Sequence, residues 1–481
     1  MNRSTVAASD RTTDAAADAA ARAVVRRGLE LDLSLTGIPR GRRTAALTDS
    51  LRSAVVAGRL RPSSSLPSSR RLADDLGVSR GVVVEAYAQL VAEGHLVATN
   101  AGTRVSPRAP VSAAPVSGVD GRLELPNVGQ PDPALFPRHE WLRVESEVVR
   151  TLPDADFGYG DAQGFAELRT VLAGYLGRVR GVDVDADRLV VVNGFAQALA
   201  LLMWHLTRAG ETPVVAVEDP GSVGVLEELR AWRMRIVPVA VDGRGLDVDA
   251  LSRSGASAVV VTPAHQYPTG VTLAPERRVA LVDWARSRGA YVIEDNYDAE
   301  YRYDRAPLTS LHSLAPDHVL AAGSMSKSLS PALRLGWIAT PPALAAALTR
   351  GKAMMDLGAP TIPQATLARF IATGRLDRHL RRTRAIYRRR RDALLDALER
   401  RGVEGVETVE GIAAGLHVAV RLGGGVDEAD LAARARACGL EAQALGRYRH
   451  QPGPPGLVLG YGSRSVDAIR RGVDLLASGI Q

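Results

Sequence analysis

Apolar residues recur at helical spacing along residues 44–58, where Leu47, Leu51, Val55 and Val56 share one face, and this predicts an amphipathic helix. A second helix opens at Pro67-Ser68-Ser69 and stops near Leu76-Gly77. A third runs over 79–93, with Ser79 as its N-cap and Val82, Val83, Ala86, Tyr87 and Leu90 turned inward. His95-Leu96-Val97 and Thr103-Arg104-Val105 flank Asn100-Ala101-Gly102 and predict a small hairpin. The first compact unit therefore spans residues 40–105, behind an N-terminal arm, 1–39, expected to be flexible.

Residues 106–122 are rich in Pro, Ser, Ala and Gly and read as a linker. Beyond them the pattern changes. Short apolar runs at 189–192, 214–217, 236–241, 258–262, 291–294 and 319–322 alternate with helical segments. Runs without polar alternation suit strands buried on both faces, so residues 123–480 predict an α/β domain with a mostly parallel, doubly wound sheet. From about 359 onward, long Arg-rich helices and the apolar run 457–459 predict a smaller C-terminal lobe. In "RHLRRTRAIYRRRRDALLDALERR", Leu380, Ile386, Leu394, Leu395 and Leu398 form a buried stripe. That favours a packed helix with solvated arginines over a second polyanion-binding element.

At 481 residues the chain is long enough for two or three domains. Its single cysteine, Cys438, excludes a disulfide framework, a Cys-rich metal site and a CxxC redox motif, and fits a reducing cytoplasm. No metal site is expected. No signal peptide or membrane span is expected either, because the Ala-rich start is broken by charges and no apolar run approaches 18 residues. The net charge is +7, and residues 1–105 hold fifteen arginines against ten acidic residues. A basic unit of that size suits a polyanion partner. Of sixty basic residues only Lys327 and Lys352 are lysines, so each marks a place where an arginine would not serve, unless both simply remained by chance.

Four segments carry candidate chemistry. In "SMSKSLSPALRLGW", Lys327 follows an apolar strand, where ligands gather at the carboxyl ends of open sheets, and its amine can condense with an aldehyde cofactor. Ser324 and Arg334 in the same segment can hold a phosphate. In "VIEDNYDAEYRY", Asp295 ends another strand as the partner for a pyridinium nitrogen, and Tyr297 can reach a ring hydroxyl. "VVNGFAQALALL" reads as strand–loop–helix, with backbone N–H groups at Gly194, Phe195 and Ala196 able to cradle a phosphate. Near the N-terminus, "LPSSRRLADDLGVSRGVVVEAYAQLVAEGHLV" places Gly77 at a tight interhelical turn and Ser79-Arg80 at the start of a helix, where phosphates and guanine edges are met. Each also has a plainer reading: Asp295 as a turn residue, Arg70 and Arg80 as surface arginines, His265 as part of a polar turn.

The N-terminal string resembles the GntR class of bacterial winged helix-turn-helix regulators. By position, that resemblance implies DNA contacts from Arg70, Ser79, Arg80, Gly81, Val84 and, at the wing tip, Gly102. Residues 123–480 resemble fold-type I aminotransferases, which implies pyridoxal 5'-phosphate (PLP) held on Lys327 as a Schiff base, with Asp295, Tyr297, Ser324, Arg334 and the 194–196 loop around it. "FGYGDAQGFAELRTVLAGYLGRVRGV" resembles that fold's entry segment, in which Tyr159 approaches the phosphate of a partner subunit's cofactor; "TPAHQYPTGVTL" resembles its ring-contacting loop, with His265 and Tyr267. The combination resembles the MocR/GabR subfamily, implying a cytoplasmic homodimer that binds operator DNA and senses PLP, an amino acid or an amine. The alternative is a working aminotransferase with an accessory DNA-binding domain.

The chain departs from the aminotransferase pattern at four places. Tyr267 stands where an Asn usually bonds the ring hydroxyl, Ser222 where an aromatic ring often stacks, and Phe195-Ala196 replace a polar pair. Val458 stands where transaminases place the Arg that clamps a substrate carboxylate, with Arg447 or Arg449 as possible substitutes.

Overall fold

The computed structural model describes residues 35, 37–100, 102–107, 128–208, 212–303, 308–403 and 405–479. The N-terminal arm up to position 34 and the linker over 108–127 lie outside the described residues. The chain divides into two compact units, Met1–Leu123 and Glu124–Gln481.

In the first unit the three helices are α1 (Arg43–Val56), α2 (Ser69–Leu76) and α3 (Arg80–Ala92), followed by strands β1 (Leu96–Thr99) and β2 (Gly102–Val105). Ser68 caps α2 by accepting the Arg71 N–H at 3.3 Å, and Gly77 ends it in the left-handed conformation at φ 62°. The core is Leu47, Leu51, Leu72, Val83, Ala86, Tyr87 and Leu90, with Leu96 and Val105 from the hairpin. Val56 and Val82, expected inside, are only half-buried. Leu35 is buried in the same cluster and Ile38 packs on it, so the ordered unit begins before Arg40. At the other end, Ser106 is buried and its N–H donates to the His95 carbonyl at 2.9 Å, which moves the start of the linker past it.

The second unit is built on an eight-stranded sheet: β3 (Leu189–Val192), β4 (Val214–Asp219), β5 (Arg235–Asp242), β6 (Gly245–Leu246), β7 (Ala258–Val261), β8 (Tyr291–Asp295), β9 (Val319–Ser324) and β10 (Gly336–Ala339). Their spatial order is β3-β10-β9-β8-β7-β4-β5-β6. The inner strands β9, β8, β7, β4 and β5 are parallel, whereas β10 runs antiparallel to both neighbours and β6 antiparallel to β5. The sequence reading has no strand at Gly336–Ala339. Its four residues are all buried, too short a run to separate from the Lys327 segment.

Alternate residues feed opposite faces of this sheet. Val190, Val192, Val215, Val217, Val260 and Ile293 pack with helices α6 (Phe195–Thr207) and α9 (Pro342–Asp356) on one side. Ala216, Val259, Val261 and Val292 pack with α8 (Pro275–Arg288) on the other. Ahead of α6 in sequence come α4 (Arg138–Thr151) and α5 (Ala166–Arg180), α7 (Val223–Ala231) lies between α6 and α8, and α10 (Thr361–Ala372) and α11 (Arg375–Arg401) follow α9. The inward residues of α11 include Leu380, Leu394 and Leu398, but also Tyr387 and Arg390; Ile386 and Leu395 are half-buried. Arg390 is held by Asp132 at 2.7 Å, an ion pair the stripe pattern does not reveal. The C-terminal lobe is an antiparallel sheet, ordered β11 (Val406–Glu410), β12 (His417–Leu422), β14 (Gly456–Gly460) and β13 (Glu441–Ala444).

Candidate functional site

The strand order reverses direction at β4, with β5 on one side and β7 on the other. Open α/β sheets receive ligands at the carboxyl ends of strands beside such a switch. A cavity of about 320 Å³ lies there, and Lys327, Asp295, Tyr297, Ser324, Arg334, Phe195, Ala196, Ser222 and Tyr267 all line it. Residues spread over about 140 positions of sequence thus meet because five strand ends converge.

Lys327 is the third residue of the turn after β9 and is half-buried. Burial lowers the pKa of its ammonium against the opposing pull of Asp298 and Asp295, which favours a neutral, nucleophilic amine. Asp295 ends β8. Burial, then Asp298, push its carboxyl up to about 8, with Lys327 opposing them and Glu218 adding to the rise. A cationic ring nitrogen would reverse that shift, so the site suits a cofactor bringing a positive charge.

The loop expected to cup a phosphate follows β3. Gly194, at φ 93°, turns the chain so that α6 starts at Phe195 with no side-chain cap, leaving the first N–H groups of the helix available to an anion. The Arg334 guanidinium packs on Gly194, where an added Cβ would lie 3.3 Å from it, and donates to the Asn193 carbonyl. Gly194 backs the cup rather than lining the cavity. Ser324 Oγ accepts the Ser326 N–H at 3.2 Å and keeps its own proton to donate. Together a lysine amine, a half-buried carboxyl and an arginine beside a bare helix start fit PLP, with its aldehyde, pyridine nitrogen and phosphate.

Tyr297 is braced from behind. Its hydroxyl donates to the His265 carbonyl at 3.0 Å and lies 3.0 Å from His265 Nδ1, which in turn is 2.8 Å from Asp298 Oδ2. His265 is buried and does not line the cavity, so it acts on Tyr297 rather than on a ligand. Tyr267 lines the cavity with its ring, but its hydroxyl lies 3.2 Å from that of Tyr448 and is turned toward the C-terminal lobe. Ser222 caps α7, accepting the Val225 N–H at 3.4 Å. Tyr159 is 90% exposed and lies apart from the cavity.

Val458 is wholly buried among Val128, Leu445 and Tyr448, with Tyr267 packed against them. Arg449 lines a different cavity of about 510 Å³, and Arg447 lines neither. Among the described residues Arg334 is the one arginine lining the Lys327 cavity. Among the residues of the lining that the sequence does not single out, two are titratable. Glu218 is the penultimate residue of β4, much as Asp295 is the last of β8; it accepts the Thr262 hydroxyl at 2.6 Å and N–H at 3.1 Å, and burial pushes it up to about 7 against those bonds. A carboxylate near the end of an apolar strand was its available signal. His417, at the start of β12, is pushed down to about 3, mainly by burial, and is therefore neutral; no local pattern marks it.

In the first unit Arg70, Ser79, Arg80, Gly81, Val84 and Gly102 are all exposed. Ser79 stands at the N-cap position of α3 without a side-chain cap bond, which leaves its hydroxyl available, while Arg80 Nε donates to Ser69 Oγ at 3.3 Å. Gly102 takes φ 118° at the hairpin tip, a conformation side-chain-bearing residues rarely adopt.

Residues 43–105 match the family of bacterial regulatory proteins, gntR family, and residues 127–420 match aminotransferase class I and II. The chain is 30% identical over 459 residues to the probable rhizopine catabolism regulatory protein MocR of Rhizobium meliloti, covering 90% of this chain and 92% of that one. It is 32% identical over 434 residues to the pyridoxine biosynthesis transcriptional regulator PdxR of Corynebacterium glutamicum, covering 88% and 93%. Among solved structures it is similar to the alpha-aminoadipate aminotransferase LysN of Thermus thermophilus, complexed with N-(5'-phosphopyridoxyl)-L-leucine. That match has a TM-score of 0.65 and 27% identity, over 73% of this chain and 90% of that one. A regulator's DNA-binding module joined to an aminotransferase fold defines the class. The chain belongs to the MocR/GabR type of GntR-family transcription regulators.

Proposed function

We propose that this protein is a PLP-dependent, DNA-binding transcription regulator, in which residues 40–105 bind operator DNA and residues 123–480 bind PLP at Lys327 and sense an effector. The observation that carries this reading is the convergence of Lys327, Asp295 and Arg334 on one cavity. PLP bound there supplies an electrophilic aldehyde and an electron-withdrawing ring. Lys327 offers the amine, Asp295 holds a proton at the ring nitrogen, Tyr297 faces the ring hydroxyl, and Arg334 with Ser324 and the start of α6 meets the phosphate. In the DNA-binding unit, Arg70 and Arg80 carry the hydrogen-bonding capacity that Gly81 and Val84 lack.

Sustained transamination needs a substrate carboxylate held in one orientation. Arg334, the one arginine lining the cavity among the described residues, is committed to the phosphate cup, and Val458 stands in an apolar wall, so regulation is favoured over turnover. The same features favour PLP itself, or an amine without a carboxylate, as effector over an amino acid. The reading includes a homodimer, to which the exposed Tyr159 would contribute, and a cytoplasmic location. No helix among the described residues is long and apolar enough to cross a membrane.

The test is the affinity of apo-protein for DNA upstream of its own gene, with and without PLP, at fixed salt. A PLP-dependent change that disappears in Lys327→Ala is expected, because a ligand shifts DNA affinity only if it binds two arrangements differently. Wild-type absorbance on PLP addition that Lys327→Ala reproduces would sink the assignment of Lys327.

A further inference from the structure

The second lysine of the chain has a place of its own. Lys352 lies near the end of α9 with no exposed surface. Its ammonium donates to Asp356 Oδ2 at 2.7 Å and to Gln197 Oε1 at 3.0 Å. Asp356 Oδ2 also takes the Gln197 amide at 2.6 Å and the Asn193 amide at 3.2 Å, and its Oδ1 takes the Gly358 N–H at 2.9 Å. Gln197 Oε1 also accepts the Asn193 backbone N–H at 2.9 Å. With Arg334 on its carbonyl, the backbone N–H, the backbone carbonyl and the side-chain amide N–H of Asn193 are all tied down. Asn193 immediately precedes Gly194 and Phe195, the cup that would receive a phosphate.

Burial alone would raise the Asp356 carboxyl, but the bonds from Lys352, Gln197 and Gly358 outweigh it and hold the group below the ordinary value. It is therefore a charged acceptor at neutral pH, and Lys352 is its counter-ion. The site is narrow: a Cβ on Gly351 would lie 2.6 Å from the Trp204 ring, so α9 presses closely on α6. A compact ammonium on a slender stem fits between two acceptors where a planar guanidinium would not. That accounts for a lysine in a chain that otherwise uses arginine.

We propose that Lys352 is a positioning residue for the cofactor phosphate: through Asp356 and Gln197 it holds Asn193 and the start of α6 in the shape that the phosphate enters. The proposal rests on the PLP reading above. Phe195 and Ala196 bring no side-chain donors, so what the start of α6 adds to Arg334 and Ser324 is its backbone N–H groups, whose direction is set by Asn193.

The test compares PLP with pyridoxal, which lacks the phosphate, by titrating apo wild type and Lys352→Met and following the ligand's absorbance. PLP affinity should fall about tenfold or more, while pyridoxal affinity changes less than about twofold. Equal losses for both ligands, or no loss for PLP, would overturn the proposal. Because Lys352→Met strands the Asp356 charge and can destabilise the fold, Lys352→Met/Asp356→Asn is measured alongside, with the same selective loss expected. If both variants unfold, Lys352 is purely structural and the proposal falls. If wild type binds neither ligand, the PLP reading itself has failed; if wild type binds PLP and the variants bind it equally well, only the role of Lys352 has.

Discussion

Charge at the cavity is governed by burial before it is governed by pairing. Lys327, Asp295 and Glu218 each shift toward the neutral form, and burial is the first cause in all three. For Glu218 the folded value of about 7 lies above its ordinary 4.5, so folding favours the protonated carboxyl. Its contribution is fully present below pH 4.5, is lost progressively as pH rises to about 7, and is gone above that. Apo wild type should therefore lose stability relative to Glu218→Gln over that window, by up to about 3 kcal/mol. Denaturant melts at pH 4.5, 6 and 8 check it, and parallel curves for the two proteins would show that Glu218 titrates normally. The carboxyl end of a strand is a legible address for Asp295 and Glu218 alike. The height of either shift is not legible, because it depends on burial and on neighbours, Asp298 for Asp295 and Thr262 with Gln266 for Glu218, which a linear reading cannot place.

At the scale of elements, helix starts carry the candidate binding sites. The start of α6 is left without a side-chain cap by Gly194, and α3 begins at Arg80 with the Ser79 hydroxyl uncommitted. Both helices expose N–H groups to an anion while their inward faces are locked in separate cores. The α3 start is the stronger case for specificity, since Arg80 is steadied by Ser69 and can form a paired contact with guanine. Arg80→Ala should weaken operator binding by about 1–3 kcal/mol while leaving affinity for unrelated DNA nearly unchanged. Binding isotherms on both DNAs at one salt concentration decide this; an equal loss on both would make Arg80 a phosphate contact.

On the scale of the whole molecule, the two units have independent cores. Every buried residue of the DNA-binding cluster lies between Leu35 and Val105, and the other clusters lie from Val128 onward. A fragment of residues 124–481 should therefore fold alone and bind PLP within about threefold of the full chain. Added PLP should raise the midpoint of one calorimetric transition of the full chain and leave a second in place. A single transition that moves as a whole would mean that the units unfold together.

The sequence by itself determined much of this protein: the helix–hairpin order of the DNA-binding unit, six of the eight strands or strand cores in the large sheet, and Lys327, Asp295 and Arg334 as one chemical set. These are legible because period, capping chemistry and strand-end position are local properties. Tertiary structure alone decided the rest. It set Gly336–Ala339 antiparallel within the sheet, withdrew His265 behind Tyr297, and buried Val458 in an apolar wall. It also brought His417 to the cavity and seated Lys352 beneath Asn193. Each of these depends on which strand or helix lies beside which, over separations of up to about 330 residues, and no local pattern encodes that adjacency.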